Sequence, residues 1–110
     1  MKDRRREIRM WCSDLIHVRL DSAKPVDLIA NLEDISPSGA CVQFERPVPV
    51  GTPVVLRLGR RRLRGEVKYC THNEVGYFAG IQFAPGHKWS RESYEPEHLL
   101  DPTKVRARKR

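Results

Sequence analysis

The sequence predicts an all-β domain of six antiparallel strands, closed as a barrel or packed as a sandwich. Three observations carry that expectation. Apolar residues recur with a period close to two in separate runs, and the runs are divided by short stretches rich in Gly, Pro, Asp and Ser. No segment between them is long enough for the crossover helix that a parallel pair requires. A chain of 110 residues supports one domain with a modest core, expected over residues 1–103.

Residues 1–10 show no useful apolar periodicity and are expected to form a flexible arm ahead of a barrel spanning 11–84. Five of the ten are basic and two acidic. Arg5 and Arg9 are four apart, which puts both guanidiniums on one side of a helical or an extended segment. In so Arg-rich a stretch the same spacing also reads as a solvated basic tail.

Leu15, Ile16, Val18 and Leu20 define a first strand over about 14–20, ended by Asp21-Ser22-Ala23-Lys24-Pro25. Residues 26–35 follow, with Val26, Leu28, Ala30 and Leu32 set against Asp27, Asn31 and Glu33, the pattern of a half-buried strand. Next comes Asp34-Ile35-Ser36-Pro37-Ser38-Gly39, after which Ala40, Val42 and Phe44 restart the alternation. In this turn Gly39 suits a positive φ, and Asp34 and Ser36 suit local bonds to backbone amides.

Pro47 to Gly51 interrupts the chain and Thr52–Leu58 resumes it. Gly59-Arg60 fits a two-residue type II′ hairpin with Gly first. The return strand, about 61–70, sets Leu63, Val67 and Tyr69 against Arg62, Arg64, Glu66 and Lys68. After a polar loop, Tyr77, Ala79, Ile81 and Phe83 form the last strand, with Tyr77 and Phe83 on the core side. Residues 85–103 are expected to be a helical extension, with a short helix within Trp89–Leu100 and Pro96 at a first helical position. The basic tail 104–110 is expected to be disordered.

The formal net charge of +7 is confined to certain places. Residues 104–110 hold five basic side chains and no acid, as do residues 57–64, whereas the rest of the body is net acidic. That is not the broad basic face of a duplex-binding domain, so nucleic acid is not the expected partner. The hairpin bearing Arg57, Arg60, Arg61, Arg62 and Arg64 reads as a solvated strand face and turn, with a partner-docking surface as the other reading. No run approaches the ~18 apolar residues of a membrane span, and no apolar segment follows the charged N-terminus, so a soluble cytoplasmic protein is expected. Cys12, Cys41 and Cys70 form no Cys-x-x-Cys pair and lie at no short zinc-ligand spacing from a histidine; they are expected to be free thiols, buried or half-buried.

No catalytic constellation emerges, and an enzyme is not expected. Ser36 and Ser38 have no histidine nearby in sequence, and no phosphate-cradling Gly-rich loop leads into Lys-Ser or Lys-Thr. Arginines with an acidic turn suit a guanine nucleotide instead. Guanine O6 and N7 match a bidentate guanidinium, its N1–H and N2–H₂ match a carboxylate such as Asp34, and phosphates take further guanidinium.

The order of these motifs is specific. Arg5-Arg6-Glu7-Ile8-Arg9, then Asp34-Ile35-Ser36-Pro37-Ser38-Gly39 at a strand junction, then Gly51-Thr52-Pro53-Val54-Val55-Leu56 and Gly80-Ile81-Gln82-Phe83, resembles the PilZ domain family of bacterial cyclic di-GMP receptors over about residues 4–84. The resemblance implies a six-stranded antiparallel PilZ-type β-barrel with the Arg arm folding over one outer surface. By it, Arg5 and Arg9 grip phosphates and guanine, Asp34 and Ser36 bind guanine or phosphate edges, and Gly39 lets the backbone approach. Arg4 matches a position where a basic residue accompanies a stacked pair of ligands, implying two cyclic di-GMP molecules per chain. No further cofactor or metal is implied, and the output is expected through a separate partner protein. Two other readings remain open at this stage: a small basic barrel binding RNA or single-stranded DNA, and a ligand-free interaction module of the same family.

Overall fold

A computed structural model describes residues 7–105. Six strands, β1 (Met10–Leu20), β2 (Val26–Ser36), β3 (Gly39–Phe44), β4 (Pro53–Leu58), β5 (Arg61–His72) and β6 (Tyr77–Phe83), close into a barrel in the order β1-β2-β3-β6-β5-β4. Every neighbouring pair is antiparallel. The closure removes both sheet edges, so each strand is paired on both sides.

Alternation decides what points inward. On β1, Ile16, Val18 and Leu20 are buried while Leu15, His17 and Arg19 face out. Leu32 and Ile35, Val42 and Phe44, Leu56 and Leu58, Leu63 and Val67, and Ile81 and Phe83 complete one core from the remaining strands. Burying each such side chain contributes about 1.5–3 kcal/mol. Tyr77 packs against the same core, as its alternation predicts. Cys41 is buried and Cys12 and Cys70 are half-buried, all three as free thiols.

Two of the turns illustrate how local chemistry sets register. Leu58 pairs with Arg61, and Gly59 takes φ 63° while Arg60 does not enter the positive range, which is the expected type II′ geometry. The Pro37-Ser38 turn joins Ser36 to Gly39, but Gly39 does not take the positive φ expected of it. Its requirement is steric: a Cβ there would come 2.6 Å from the Ile81 carbonyl oxygen on β6.

Three bulges break the period of two. The register shifts between Trp11 and Asp14 on β1, between Leu32 and Asp34 on β2, and between Val67 and Tyr69 on β5. The first explains why the opening strand reads as starting near residue 14 when pairing begins at Met10. An extra residue scrambles alternation without ending the ladder.

No helix forms across Trp89–Leu100. That segment closes one end of the barrel through individual anchors. Trp89 is buried, its amide donates to Pro37 O at 3.0 Å, and its Nε1 donates to Tyr94 O at 2.8 Å. The Tyr94 hydroxyl donates to the buried Asp14 carboxylate, and Pro96 is buried rather than opening a helix. Ser13 N donates to Glu97 O, and Trp11 and Leu100 exchange two backbone hydrogen bonds at 2.9 and 2.7 Å. A segment committed to backbone bonds with β1 and to side-chain bonds with Asp14 cannot also satisfy a helical ladder. The sole helical element among the described residues is one turn, Pro102–Val105. Among them, no helix is long and apolar enough to cross a membrane.

Candidate functional site

The bulges assemble a row of residues across the outer surface. Trp11 on β1 pairs with Asp34 on β2, Asp34 with Cys41 on β3, Cys41 with Gly80 on β6, and Gly80 with Tyr69 on β5. By parity Asp34 belongs with Ala30 and Leu32, on the core face. The extra residue Glu33 reverses the phase and turns its carboxylate outward. Tyr69 is subject to the same effect: its parity is that of Leu63 and Val67, yet Lys68 interrupts the register and the ring emerges 43% exposed. Directly opposite residues share a face, and neighbouring strands are about 4.8 Å apart, so the five positions form one contiguous band.

The band is crossed by the end of the arm. Arg9 Nη1 donates to Asp34 Oδ1 at 3.0 Å, with side chains 51% and 19% exposed respectively. The charges of Arg9 and Asp34 both reach the Tyr69 phenol and the Cys41 thiol beside them. Two residues earlier, Glu7 Oε1 accepts from Ser38 Oγ at 2.6 Å and from Ser38 N at 3.3 Å. The arm is therefore pinned to β2 at one point and to the Pro37-Ser38 turn at another.

Burial dominates the protonation chemistry here. It raises Asp34 above the ordinary carboxylate value and outweighs the Arg9 charge, with Glu33 adding to the rise. It pushes the Cys41 thiol to about 11, assisted by Asp34 and Glu33, and the Cys12 thiol to about 12, assisted by Asp14. Both are protonated at neutral pH, which leaves them packing groups rather than nucleophiles. Tyr69 is raised by burial and by Cys41, with Arg9 opposing. The site thus holds a partly desolvated carboxylate, a half-exposed guanidinium and two exposed aromatics, Trp11 and Tyr69. It can accept hydrogen bonds at Asp34, bind an anion at Arg9 and offer apolar ring faces at its margins.

Of the residues picked out in the sequence, Arg9 and Asp34 are brought into contact. Ser36 is buried, and its hydroxyl donates to Gly39 O at 3.3 Å within the turn. Gly39 sits where only hydrogen clears the β6 backbone. Arg4 and Arg5 lie outside the described residues, as does most of the basic tail. Tyr69, Cys41, Trp11 and Glu7 were not expected at the site. Tyr69 and the strand position of Trp11 were hidden by bulges. Glu7 was the accessible one, since residues two apart in an extended segment share a side.

Comparison with known proteins places this geometry. A family model for the PilZ domain matches residues 3–93. No curated protein matches the sequence. Among solved structures, the K. pneumonia MrkH–c-di-GMP complex superposes with a TM-score of 0.61 at 19% identity, covering 79% of this chain and 47% of that one. The Bacillus subtilis inhibitor of motility MotI/DgrA superposes with a TM-score of 0.59 at 12% identity, covering 99% of this chain and 55% of that one. The chain spans about half the length of either structure, and at these identities the likeness is one of fold. Since the family match takes in the arm, the acidic turn and the whole barrel, the chain belongs to the PilZ domain family.

Proposed function

We propose that this protein is a cyclic di-GMP receptor that binds its ligand on the outer band of the barrel, under the Arg arm. The observation that carries the reading is the convergence of Arg9, Asp34 and Tyr69, from three separate segments, on one spot. PilZ domains are the cyclic di-GMP receptor family, and one structural neighbour was solved with that ligand.

The mechanism is an exchange of partners. Asp34 Oδ1 accepts from Arg9, and a guanine presents N1–H and N2–H₂ donors that satisfy the same carboxylate. Once guanine takes Asp34, the Arg9 guanidinium is released toward O6 and N7 or toward phosphate, where its planar fork fits bidentately. Arg5 and Arg4 supply further positive charge from the arm, Arg4 with a second, stacked ligand. Ser36 and Gly39 hold the turn in the shape that presents Asp34, the buried Ser36 hydroxyl being engaged by Gly39 O rather than open to a ligand. Ligand binding then moves the arm's contacts from Asp34 to the ligand, and a separate partner protein in the cytoplasm reads the change; the driving force is the ligand's preference for the arm in that rearranged state. The role is a receptor's, with no reaction at the site.

Calorimetric titration with cyclic di-GMP tests the reading. Saturable binding weakened by about tenfold or more in Arg9→Ala and in Asp34→Ala supports it, and the molar ratio counts the ligands. No heat at tens of micromolar ligand would sink it, as would a steeply salt-dependent gel shift with single-stranded RNA in its place.

A further inference from the structure

On a different side of the barrel, the outer face of β1, β4 and β5 is concave and basic. Two cross-strand rows build it. One runs Ile29, His17, Arg57, Arg62 and the other Asp27, Arg19, Val55, Arg64. All of these except Ile29, with Val18 and Asp21, line a groove of about 560 Å³. A second depression, of about 330 Å³, adjoins it at Arg64 and continues toward Gln82.

Arg19 is committed to Asp27, at 3.2 Å. Arg57, Arg62 and Arg64 have no carboxylate partner among the described residues. Moreover Arg57 and Arg62 are directly opposite, and like charges so placed destabilise a sheet. A solvated hairpin explains Arg60 and Arg61 at the turn. It does not explain three guanidiniums without a carboxylate partner lining one depression together with Val55.

We propose that this face is a docking groove for an extended acidic segment of a partner protein. Three features select that occupant. Arg62 and Arg64 are two residues apart on one strand face, roughly 7 Å, which is also the spacing of alternate side chains in an extended chain, so a Glu-x-Glu sequence meets both. Ile29, 56% exposed and directly opposite His17, and Leu15, 71% exposed and two residues before His17 on the same strand face, lie next to the groove and suit the apolar residues of a peptide rather than a sugar-phosphate backbone. Asp21 also lines it, a negative charge that a continuous polyanion would meet and a chain of spaced carboxylates can avoid. The groove shares no residue with the Arg9–Asp34–Tyr69 band, so it stands or falls independently of cyclic di-GMP binding.

The test uses the full chain, isotopically labelled, titrated with a synthetic peptide alternating Glu and Val and followed by backbone amide shifts. Shifts are expected at His17, Val55, Arg57, Arg62 and Arg64. Binding should weaken by roughly tenfold or more in Arg62→Glu/Arg64→Glu, and equally for a peptide with Gln at each Glu position. Arg62→Gln/Arg64→Gln provides a milder second variant, and unchanged thermal melting shows that either is folded. The proposal is overturned if these amides do not shift at millimolar peptide, if both variants bind like the parent, or if duplex DNA or inorganic phosphate occupies the groove more tightly than the peptide.

Discussion

The ring of Tyr69 lies directly on Gly80, and a methyl group added at Gly80 would fall inside it. The glycine is thus a seat for the aromatic ring that covers Cys41 and faces Arg9. Gly80→Ala is expected to displace the ring, destabilise the barrel by about 1–3 kcal/mol and weaken cyclic di-GMP binding. Removing the ring should make room for the methyl. In a Tyr69→Ala background, then, Gly80→Ala should be close to neutral, a coupling that a denaturation double-mutant cycle measures directly.

Arg9 and Asp34 should separate function from stability. Their pair is partly exposed, and such pairs contribute at most about 1 kcal/mol. Arg9→Ala is therefore expected to leave the melting temperature nearly unchanged while reducing ligand affinity by about tenfold or more. Arg9→Lys retains the charge without the planar fork and should recover only part of the loss. Calorimetry beside thermal melting makes the comparison.

These two residues also mark how far the sequence could be read. Strand positions followed from alternation, because a half-buried strand must place every second side chain in the core. The site itself depends on where alternation fails. Glu33 and Lys68 each insert one residue into a ladder, and each reverses the face of the next residue, Asp34 or Tyr69. Nothing in the local composition marks those insertions; they are set by pairing with a strand distant in sequence. Asp34 was found through its motif, and Tyr69, assigned by parity to the core, was not. The helix expected within Trp89–Leu100 does not form because the pattern there reflects barrel closure, with Trp89, Tyr94 and Pro96 facing tertiary partners rather than successive turns of a helix.

The Tyr94 hydroxyl serves Asp14, a carboxylate that is only 6% exposed. Tyr94→Phe leaves that buried acceptor without its phenolic donor and is expected to destabilise the fold by about 1–3 kcal/mol. The alkaline limb of stability should respond too. Burial and Asp14 raise the Tyr94 phenol well above its ordinary value, so its contribution is present below the unfolded value of about 10 and is lost as pH rises beyond it. Urea denaturation at neutral and alkaline pH should show less alkaline loss in the Phe variant.

Ligand binding should also depend on pH, through Asp34. Guanine N1–H and N2–H₂ need an ionised acceptor, whereas burial raises the Asp34 value above that of an ordinary carboxylate. Acidification therefore protonates this carboxyl earlier than an exposed one. Affinity for cyclic di-GMP is expected to be level near neutrality and to fall as pH drops toward the raised Asp34 value, by up to tenfold per pH unit once protonation dominates. Stability runs in the opposite sense. The unfolded chain loses this proton at lower pH than the native one, so Asp34 favours folding most on the acid side and loses that contribution as pH rises through its folded value. Asp34→Asn keeps an acceptor oxygen but cannot titrate. It should bind weakly at neutral pH and show no acid limb, and calorimetric titrations across the acid range on both proteins would expose an unchanged limb, which would place the controlling proton on another group.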